Sequence, residues 1–595
     1  MHILTCLTFM AIFYGVCIFG ICCDGGAQRV KNLYCDFSFL EKIVLRVAII
    51  FIMCFVFYWV KQDRFVYFWD YAIYWKQSIH RMEYIFSHSF LQTINSIHDS
   101  INHSSYNDFL PCVIALPMRV LGYTHAKYVF INFAMFFVPT VLVQGLLAVK
   151  ICESKATTIP STAVYIIGVL VAILFQGNYY AGLRGFIDIG FLLPASVAVY
   201  LFLDYDFNHI SISRNLAISF TLLTAWISRR YVIYFVIGYV VAMLVKAVYS
   251  LIFGGKWKET ILNFAIIGGV SLVILLAFFR SFFLDALLTN YGYKYSAYDA
   301  PLSNKLNAVF LSFGIVAFVI LAIIGVLCFV KKRNRINFVC MCAFLISSTY
   351  MFWRTQRMDT QHRMLLNLPV FVCFLFLLTL WEDNFANHIR GLLQNAMVIL
   401  CISLQLLNFV KVFVPSVPND NSYFFAEKYY PSQRNDIDQL WQLASTLNSL
   451  TEGTSDSVYI VASSPILNDS ILRCLNAPYT ETSVPNMVHN RDVDLRDGFP
   501  PEFLIAKYVV TTTPVQTHLS SGQYVITYLA DCLHDSFNYL GRHFKKVYEV
   551  ELDNNVTAEV YEKCSSFTED DLTKLREYYN TLYPNDTELF ADRIK

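Results

Sequence analysis

Long apolar stretches alternate with short polar segments over the first 414 residues. A helix needs about 17–25 mostly apolar residues to cross the hydrocarbon core of a bilayer. Twelve stretches approach or reach that length: 3–22, 43–60, 127–149, 161–176, 185–203, 215–227, 231–253, 260–280, 307–330, 336–352, 364–381 and 395–413. They predict an all-α, multispanning membrane bundle of about 11–13 helices.

The pattern changes after residue 414. Segment 436–450 is typical of an amphipathic helix, and strand patterns follow at 457–463, 506–512, 523–528, 546–552 and 557–562. The last two strands are separated by 553–555, which predicts a hairpin. We therefore divide the chain into a membrane domain, 1–414, and a small α/β domain with a mixed sheet, 415–595.

Short basic loops predict the orientation. The segment Lys331 to Arg335 (KKRNR) should be cytoplasmic, and Lys256 with Lys258 fits the same side two spans earlier. Counting spans from these loops places 61–126, 281–306, 353–363 and the domain after residue 414 outside. This count requires that 109–122 does not span, and its Pro111, Pro117 and Arg119 suit an interfacial helix.

Composition and charge support this division. The chain is 56% hydrophobic and 15% charged, against roughly 45–50% and about 25% in soluble proteins. Residues 1–414 carry 31 basic and 18 acidic side chains (+13), whereas 415–595 carry 14 and 26 (−12). A nucleic-acid binder or a simple cytosolic enzyme is thereby excluded as the first expectation, and membrane lipid is an expected partner.

An acidic residue among aromatic residues opens the first long external loop. The segment FWDYAIYW contains Asp70 with Trp69, Tyr71 and Tyr74 around it. One interpretation is an aromatic belt with a solvated charge. The other is a general base that accepts a proton from a sugar or lipid hydroxyl, with the aromatic rings contacting the sugar or acceptor.

This layout resembles the GT-C superfamily of integral-membrane glycosyltransferases, which use polyprenyl-phosphate sugars as donors. The resemblance rests on FWDYAIYW, on the segment from Tyr106 to Gly122 with its two prolines, and on a span that begins near Lys127. It implies that Asp70 is the catalytic base. The chain departs from the Asp-Glu pair of mannosyl- and aminoarabinose-type members, because Tyr71 follows Asp70.

Such a donor needs cations for its phosphate at the external membrane surface. The segment 353–363 is rich in basic residues although it is expected to lie outside, against the usual charge bias. Guanidinium groups bind phosphate bidentately, so Arg357 and Arg363, with His362, are candidate phosphate ligands. Arg229 and Arg230 are further candidates, and snorkelling side chains are the alternative interpretation.

Loop 281–306 carries Tyr291, Tyr293 and Tyr295 at alternate positions, which in an extended segment would present their rings to one side. They form either an aromatic rim or a lid with sugar or acceptor contacts. No cofactor is expected, because the sequence contains no nucleotide-binding fingerprint. A divalent ion between Asp63 and Asp70 is weakly supported, and no metal ligands are assigned.

We therefore expect a membrane glycosyltransferase of a bacterial cytoplasmic membrane. It would transfer a sugar from a polyprenyl-phosphate donor to a polysaccharide or another glycan, lipid or protein acceptor on the external face. The nearest alternative is an O-antigen polymerase or ligase with a polyprenyl pyrophosphate donor. A transporter or flippase is less favoured, because ionisable residues collect at external helix ends instead of inside spans. A non-enzymatic sensor explains neither the arginines nor the acidic loop.

Overall fold

The computed structural model describes residues 1–153, 159–380, 389–418, 423–477 and 483–595. All twelve apolar stretches are helical where they are described. The helices are His2–Cys22, Phe39–Lys61, His125–Glu153, Ser161–Ile173, Ile187–Phe202, Ile212–Ser228, Ile233–Ile252, Trp257–Phe278, Leu302–Phe313 with Ile315–Val330, Arg335–Trp353, Met364–Leu380 and Ile389–Phe413.

Length divides these helices into two groups. Within the described ranges, seven helices are long and apolar enough to cross a membrane, or up to nine if each bent pair forms one span. The bent pairs are Ser161–Ile173 with Gln176–Leu183, at 59°, and Leu302–Phe313 with Ile315–Val330, at 82°. The chain is an integral membrane protein, and its shorter apolar helices complete the bundle between the long ones.

The segment between the second and third predicted spans forms three helices. They are Trp69–Ser87, Phe90–His103 and Phe109–Leu121. Phe109–Leu121 packs against His2–Cys22 and Trp69–Ser87, and eight of its thirteen residues are buried. The predicted interfacial helix is therefore short, as expected, but it packs within the protein.

The loops predicted to lie outside meet at one end of the bundle. The backbone amide of Arg64 donates to the carbonyl of Ser432, and that of Arg357 donates to the carbonyl of Tyr298. The loops predicted to lie inside meet at the other end, where the amide of Lys256 donates to Asn208 Oδ1 over 2.8 Å. The relative sidedness of these loops thus matches the charge pattern.

A strap, residues 423–436, leads from the last membrane helix to the terminal domain. It crosses the 82° bend at Gly314, whose φ of +74° is unfavourable for other residues. A Cβ at Gly314 would lie 2.7 Å from the Phe424 carbonyl oxygen and from the Ala426 nitrogen. At the domain end, Nη1 of buried Arg434 donates to the Pro465 carbonyl over 2.9 Å. The strap is therefore held at both ends.

The terminal domain is built on a four-stranded mixed sheet. Its strands are β1 Val458–Ile460, β2 Tyr508–Thr513, β3 Phe544–Leu552 and β4 Val556–Lys563, in the order β1-β2-β4-β3. β1 and β2 are parallel, and the remaining pairs are antiparallel. The helices are Ile437–Thr451, Asp469–Cys474, Asp494–Asp497, Pro501–Ile505, Tyr524–His534 and Glu569–Leu582. The predicted mixed sheet and hairpin are confirmed.

Successive residues of the strands face opposite sides of the sheet. Val458 and Ile460 belong to the large apolar core that includes helix Ile437–Thr451 and the membrane part. Tyr459 and Val461 belong to a second core, formed with Tyr524–His534 and Glu569–Leu582. One face of the sheet thus joins the membrane domain's core, and the other face has its own.

The strand predicted at 523–528 is wrong, because this segment begins helix Tyr524–His534. Its β-branched and aromatic residues favour a strand locally. However, the Asp494 carboxylate accepts the backbone amides of Tyr524 and Val525, both over 2.9 Å. This carboxylate satisfies amides that the first helical turn leaves unpaired, and Val525, Leu529 and neighbouring apolar residues are buried.

Candidate functional site

Asp70 lies in the first turn of helix Trp69–Ser87, where the helix dipole stabilises a negative charge. The preceding residue, Trp69, has a left-handed φ of +45°. Its amide donates to Ser470 Oγ of the terminal domain over 2.9 Å. Strained backbone of this kind is typical of functional sites. The terminal domain therefore helps to fix the position of Asp70.

Asp70 is partly buried and has two hydrogen-bond donors. The Tyr106 hydroxyl donates to Oδ1 over 2.5 Å, and Gln361 Nε2 donates to Oδ2 over 3.4 Å. Burial raises the pKa of Asp70, while the bond from Tyr106 and the charge of Arg229 oppose that rise. A carboxylate held in this way retains some accessible surface and can accept a proton.

Arg229 forms a buried ion pair beside this carboxylate. Its Nε donates to Asp188 Oδ1 over 2.8 Å, and its guanidinium lies over the rings of Tyr74, Tyr106 and Tyr231 at 4.6–5.8 Å. Asp188 Oδ2 is buried and has no hydrogen-bond partner among the described residues. The charge of Arg229 is therefore already paired with the Asp188 carboxylate. Its guanidinium also packs against Tyr106, the tyrosine whose hydroxyl bonds to Asp70.

Two other predicted phosphate ligands are also paired with carboxylates. Arg230 Nη1 bonds to the Asp285 carboxylate, which also accepts the Tyr291 hydroxyl over 2.8 Å. Arg357 Nε lies 3.5 Å from Asp359, and its side chain is 45% exposed. The structure thus places each of these two arginines next to a negative charge.

His362 and Arg363 lie at the start of helix Met364–Leu375. The His362 ring packs against Tyr231 and Phe352, with ring centroids 5.0 and 4.7 Å away. Burial lowers the pKa of His362 to about 4, so its imidazole is neutral near pH 7. Arg363 Nε is buried and has no hydrogen-bond partner in the described ranges.

Arg184, which lies between two helices, is a further basic residue of this region. Its guanidinium lies 4.8 Å from the Tyr429 ring centroid and donates to the Tyr430 carbonyl over 3.2 Å. The Tyr71 hydroxyl lies within electrostatic range of both Arg184 and Asp70. Within the part of the chain that the structure describes, neither Arg184 nor Arg363 forms an ion pair with a carboxylate.

Five aromatic rings form a continuous row that begins at Trp69, the residue before Asp70, and leads toward Arg230. Successive centroids are 4.8–6.1 Å apart, in the order Trp69, His518, Tyr298, Tyr295, Tyr291. All five residues are partly exposed. We call this set the aromatic row. It crosses from the membrane domain to the terminal domain and back.

The expectation of an extended segment at 291–295 is wrong. Residues Tyr291–Lys294 form a helical turn and Ser296–Tyr298 a 3-10 turn. Tyr291 and Tyr295, four residues apart, therefore stack at 6.1 Å, while the Tyr293 hydroxyl bonds to Asp586 away from the aromatic row. Of the other predicted contacts, Tyr74 is buried beneath Arg229 and Tyr71 packs against Phe186.

Several site residues escaped sequence reasoning. Arg496 and His518 lie more than 400 positions from Asp70, and no local pattern marks them. Asp188 did have a signal, because it is a single acidic residue within the apolar stretch 185–203. Gln361 lies in the basic segment 353–363, and its uncharged side chain carries no signal for a phosphate site.

The described residues contain no group of three or more His, Cys, Asp or Glu side chains that could hold a metal ion. Asp63, considered above as a partner of Asp70 in a metal site, instead accepts the Tyr67 hydroxyl over 2.8 Å and the Ser432 amide over 2.6 Å. The bond from Ser432 joins the loop to the strap.

No protein-family model matches the sequence, and no curated protein matches it. Among solved structures, the chain is similar to the archaeal oligosaccharyltransferase AglB from Archaeoglobus fulgidus in complex with an inhibitory peptide and a dolichol-phosphate. The two are 11% identical, with a TM-score of 0.40 over 90% of this chain and 75% of that chain. At this distance the function must come from the chain's own residues.

Proposed function

We propose that the protein is a membrane glycosyltransferase that uses a polyprenyl-phosphate sugar as donor. The observation that carries the proposal is Asp70, a partly buried carboxylate at a helix N-terminus with a raised pKa and two hydrogen-bond donors. It lies at the end of the bundle where arginines and the terminal domain meet. Such a carboxylate suits the deprotonation of a hydroxyl group.

The donor phosphate is assigned first to Arg363 and Arg184. A phosphate gains most from cations that are not already in an ion pair with a carboxylate. Among the described residues neither arginine forms such a pair, although Asp63 lies within electrostatic range of Arg184. Tyr429 links them, because its ring lies under Arg184 and its hydroxyl bonds to the Tyr180 carbonyl over 2.7 Å. Arg363 lies within electrostatic range of Tyr180.

The remaining predicted ligands take supporting roles. Neutral His362 offers a hydrogen bond but no charge, and Arg230 and Arg357 each share their charge with a carboxylate. Arg229 acts on Asp70 through Tyr106 and through its own field. We class it as a positioning residue.

The proposed reaction is a single inverting displacement. Asp70 takes the proton of the acceptor hydroxyl as its oxygen bonds to the anomeric carbon. The bond between that carbon and the phosphate oxygen breaks, and the electron pair leaves with the phosphate. Arg363 and Arg184 stabilise the charge that develops on the phosphate, which is commonly the largest contribution in such sites.

The same proposal covers the setting of the reaction. The transfer takes place at the external face of a bacterial cytoplasmic membrane, with a polysaccharide or another glycan, lipid or protein hydroxyl as acceptor. No metal or cofactor has a part in the proposed steps. The terminal domain lies on the same external side and closes the site through Ser470 and Arg496.

Mass spectrometry of lipids bound to the purified protein tests the donor class. The wild type should carry a polyprenyl phosphate, and Asp70→Asn should carry an uncleaved polyprenyl-phosphate sugar. An Arg184→Gln/Arg363→Gln double variant should lose both lipids, whereas the exposed Arg280→Gln should keep them. Recovery of polyprenyl pyrophosphates instead would favour the polymerase or ligase alternative, and absence of any polyprenyl lipid would contradict the proposal.

A further inference from the structure

The aromatic row ends beside the proposed catalytic base and remains accessible. Trp69 precedes Asp70, and four further rings lead away from it with centroid spacings of 4.8–6.1 Å. None of the five side chains is fully buried or fully exposed. A pyranose presents a face of polarised C–H groups, which the negative face of an aromatic ring attracts. A row of rings therefore offers successive places for successive sugars.

One edge of the row is strongly polar. Arg496 Nη1 donates to the Tyr298 hydroxyl over 2.6 Å, and the same guanidinium pairs with Asp492 and Asp497. At the far end the Tyr291 hydroxyl donates to Asp285. Sugars bind where apolar faces and charged hydrogen-bonding groups lie side by side, whereas an isoprenoid chain has no partner for such groups.

His518 completes the row as an uncharged ring. Burial and the nearby positive charge of Arg496 lower the pKa of His518 to about 4, so its imidazole is neutral near pH 7. Its ring lies between Trp69 and Tyr298, at 4.8 and 5.9 Å. His518 of the terminal domain thus connects Trp69, the residue before Asp70, to the tyrosines of the row.

Docking of the terminal domain does not by itself account for the row. The domain and its strap are attached through other hydrogen bonds as well. The Trp69 amide donates to Ser470 Oγ, and Lys76 Nζ donates to the Arg473 carbonyl. In the strap, the Ser432 carbonyl accepts the Arg64 amide and the Ser432 amide donates to Asp63. Tyr295, in the middle of the row, makes ring contacts only with other members, and no hydrogen bond of its hydroxyl is found in the described ranges.

We propose that the aromatic row is the acceptor subsite and that the acceptor is a glycan chain of at least two sugar units. This inference rests on the proposed function, because it takes Asp70 as the base. The terminal sugar's hydroxyl faces Asp70, and the preceding sugars lie along Trp69, His518, Tyr298 and Tyr295. The terminal domain then selects a carbohydrate acceptor over a peptide or a lipid.

A glycan array probed with the full-length protein in lipid nanodiscs tests this inference. The array carries linear oligosaccharides of hexoses, N-acetylhexosamines and deoxyhexoses with one to six units. The wild type should bind chains of two or more units and should not bind single sugars. Tyr295→Ala should weaken that binding about tenfold, since one stacking contact is lost. Tyr293→Ala, a tyrosine two residues away that lies outside the row, should bind as the wild type does.

The bound-lipid measurement separates the two proposals. If the protein carries a polyprenyl phosphate but binds no oligosaccharide, or if Tyr295→Ala and Tyr293→Ala bind equally, the acceptor subsite is overturned and the donor proposal stands. If no polyprenyl lipid is bound, the proposed function itself fails. All three proteins should elute as the same monodisperse species and carry the same lipid, which shows that Tyr295→Ala is folded.

Discussion

The hydrogen bond from Tyr106 to Asp70 makes a quantitative prediction about the pH profile. Tyr106→Phe removes the hydroxyl that donates to Oδ1 over 2.5 Å and keeps the ring that packs against Tyr74. A hydrogen bond to a charged group contributes about 1.5–3 kcal/mol. Because the bond favours the ionised carboxylate, its loss raises the pKa of Asp70 further above the usual range.

The sign of the effect follows from the proposed role of Asp70 as the base. Only the ionised carboxylate accepts the proton, so the rate falls as the pH drops through the pKa of Asp70. This fall is the acid limb of the pH profile. In Tyr106→Phe the acid limb moves to higher pH. At pH values below the pKa of Asp70, loss of the roughly 1.5–3 kcal/mol that the hydrogen bond contributes lowers the rate about tenfold to a hundredfold relative to the wild type. Above the limb the two rates converge.

The assay is donor turnover as a function of pH, with water as acceptor if no sugar acceptor is at hand. Tyr74→Phe is the matched control, because the Tyr74 hydroxyl has no hydrogen-bond partner among the described residues. Its acid limb should stay at the wild-type position. An unchanged limb in Tyr106→Phe would refute the reasoning, because the ionising group would then not be the carboxylate that Tyr106 contacts.

Three further predictions concern the phosphate site, the strap and the orientation. Arg184→Gln and Arg363→Gln should each weaken polyprenyl-phosphate binding about tenfold to a hundredfold, measured by competition with labelled lipid, and equal binding by wild type and variants would contradict the assignment. Gly314→Ala should destabilise the protein by about 1–2 kcal/mol from its left-handed φ alone, seen as a lower melting temperature. Gly269→Ala, with open space around its Cβ position, should not, and equal melting temperatures would count against the account of the strap. A membrane-impermeant maleimide should label exposed Cys564 on intact cells and should not label Cys564→Ser there; labelling of Cys564 only after lysis would reverse the orientation.

Much of the membrane architecture follows from local properties of the chain. The apolar stretches predict the helices because a membrane helix must satisfy its backbone internally and bury its side chains in lipid. Basic loops such as 331–335 predict which of the other loops lie at the same end of the helix bundle. Asp70 is visible in the sequence as an acidic residue among aromatic residues just after a span. These features depend on neighbours within a few residues.

Tertiary contacts decide the rest of the site. The pairing of Arg229 with Asp188 and of Arg230 with Asp285 separates these arginines from Arg363, although all three look alike in sequence. The aromatic row depends on His518, which arrives from the terminal domain. Helix Tyr524–His534 forms where its composition favours a strand, because Asp494 caps it. Asp188 alone has a local signal, as the single acidic residue in the apolar stretch 185–203, and that signal does not name its partner.

The most direct test of the central claim is donor turnover by Asp70→Asn. Removal of a general base typically costs about 10²–10⁴-fold in rate, so turnover should fall by that factor while the polyprenyl-phosphate sugar stays bound. Asp63→Asn, a change of the same size in the same loop, should retain most of the wild-type turnover. Turnover by Asp70→Asn close to that of the wild type would contradict the assignment of Asp70 as the catalytic base.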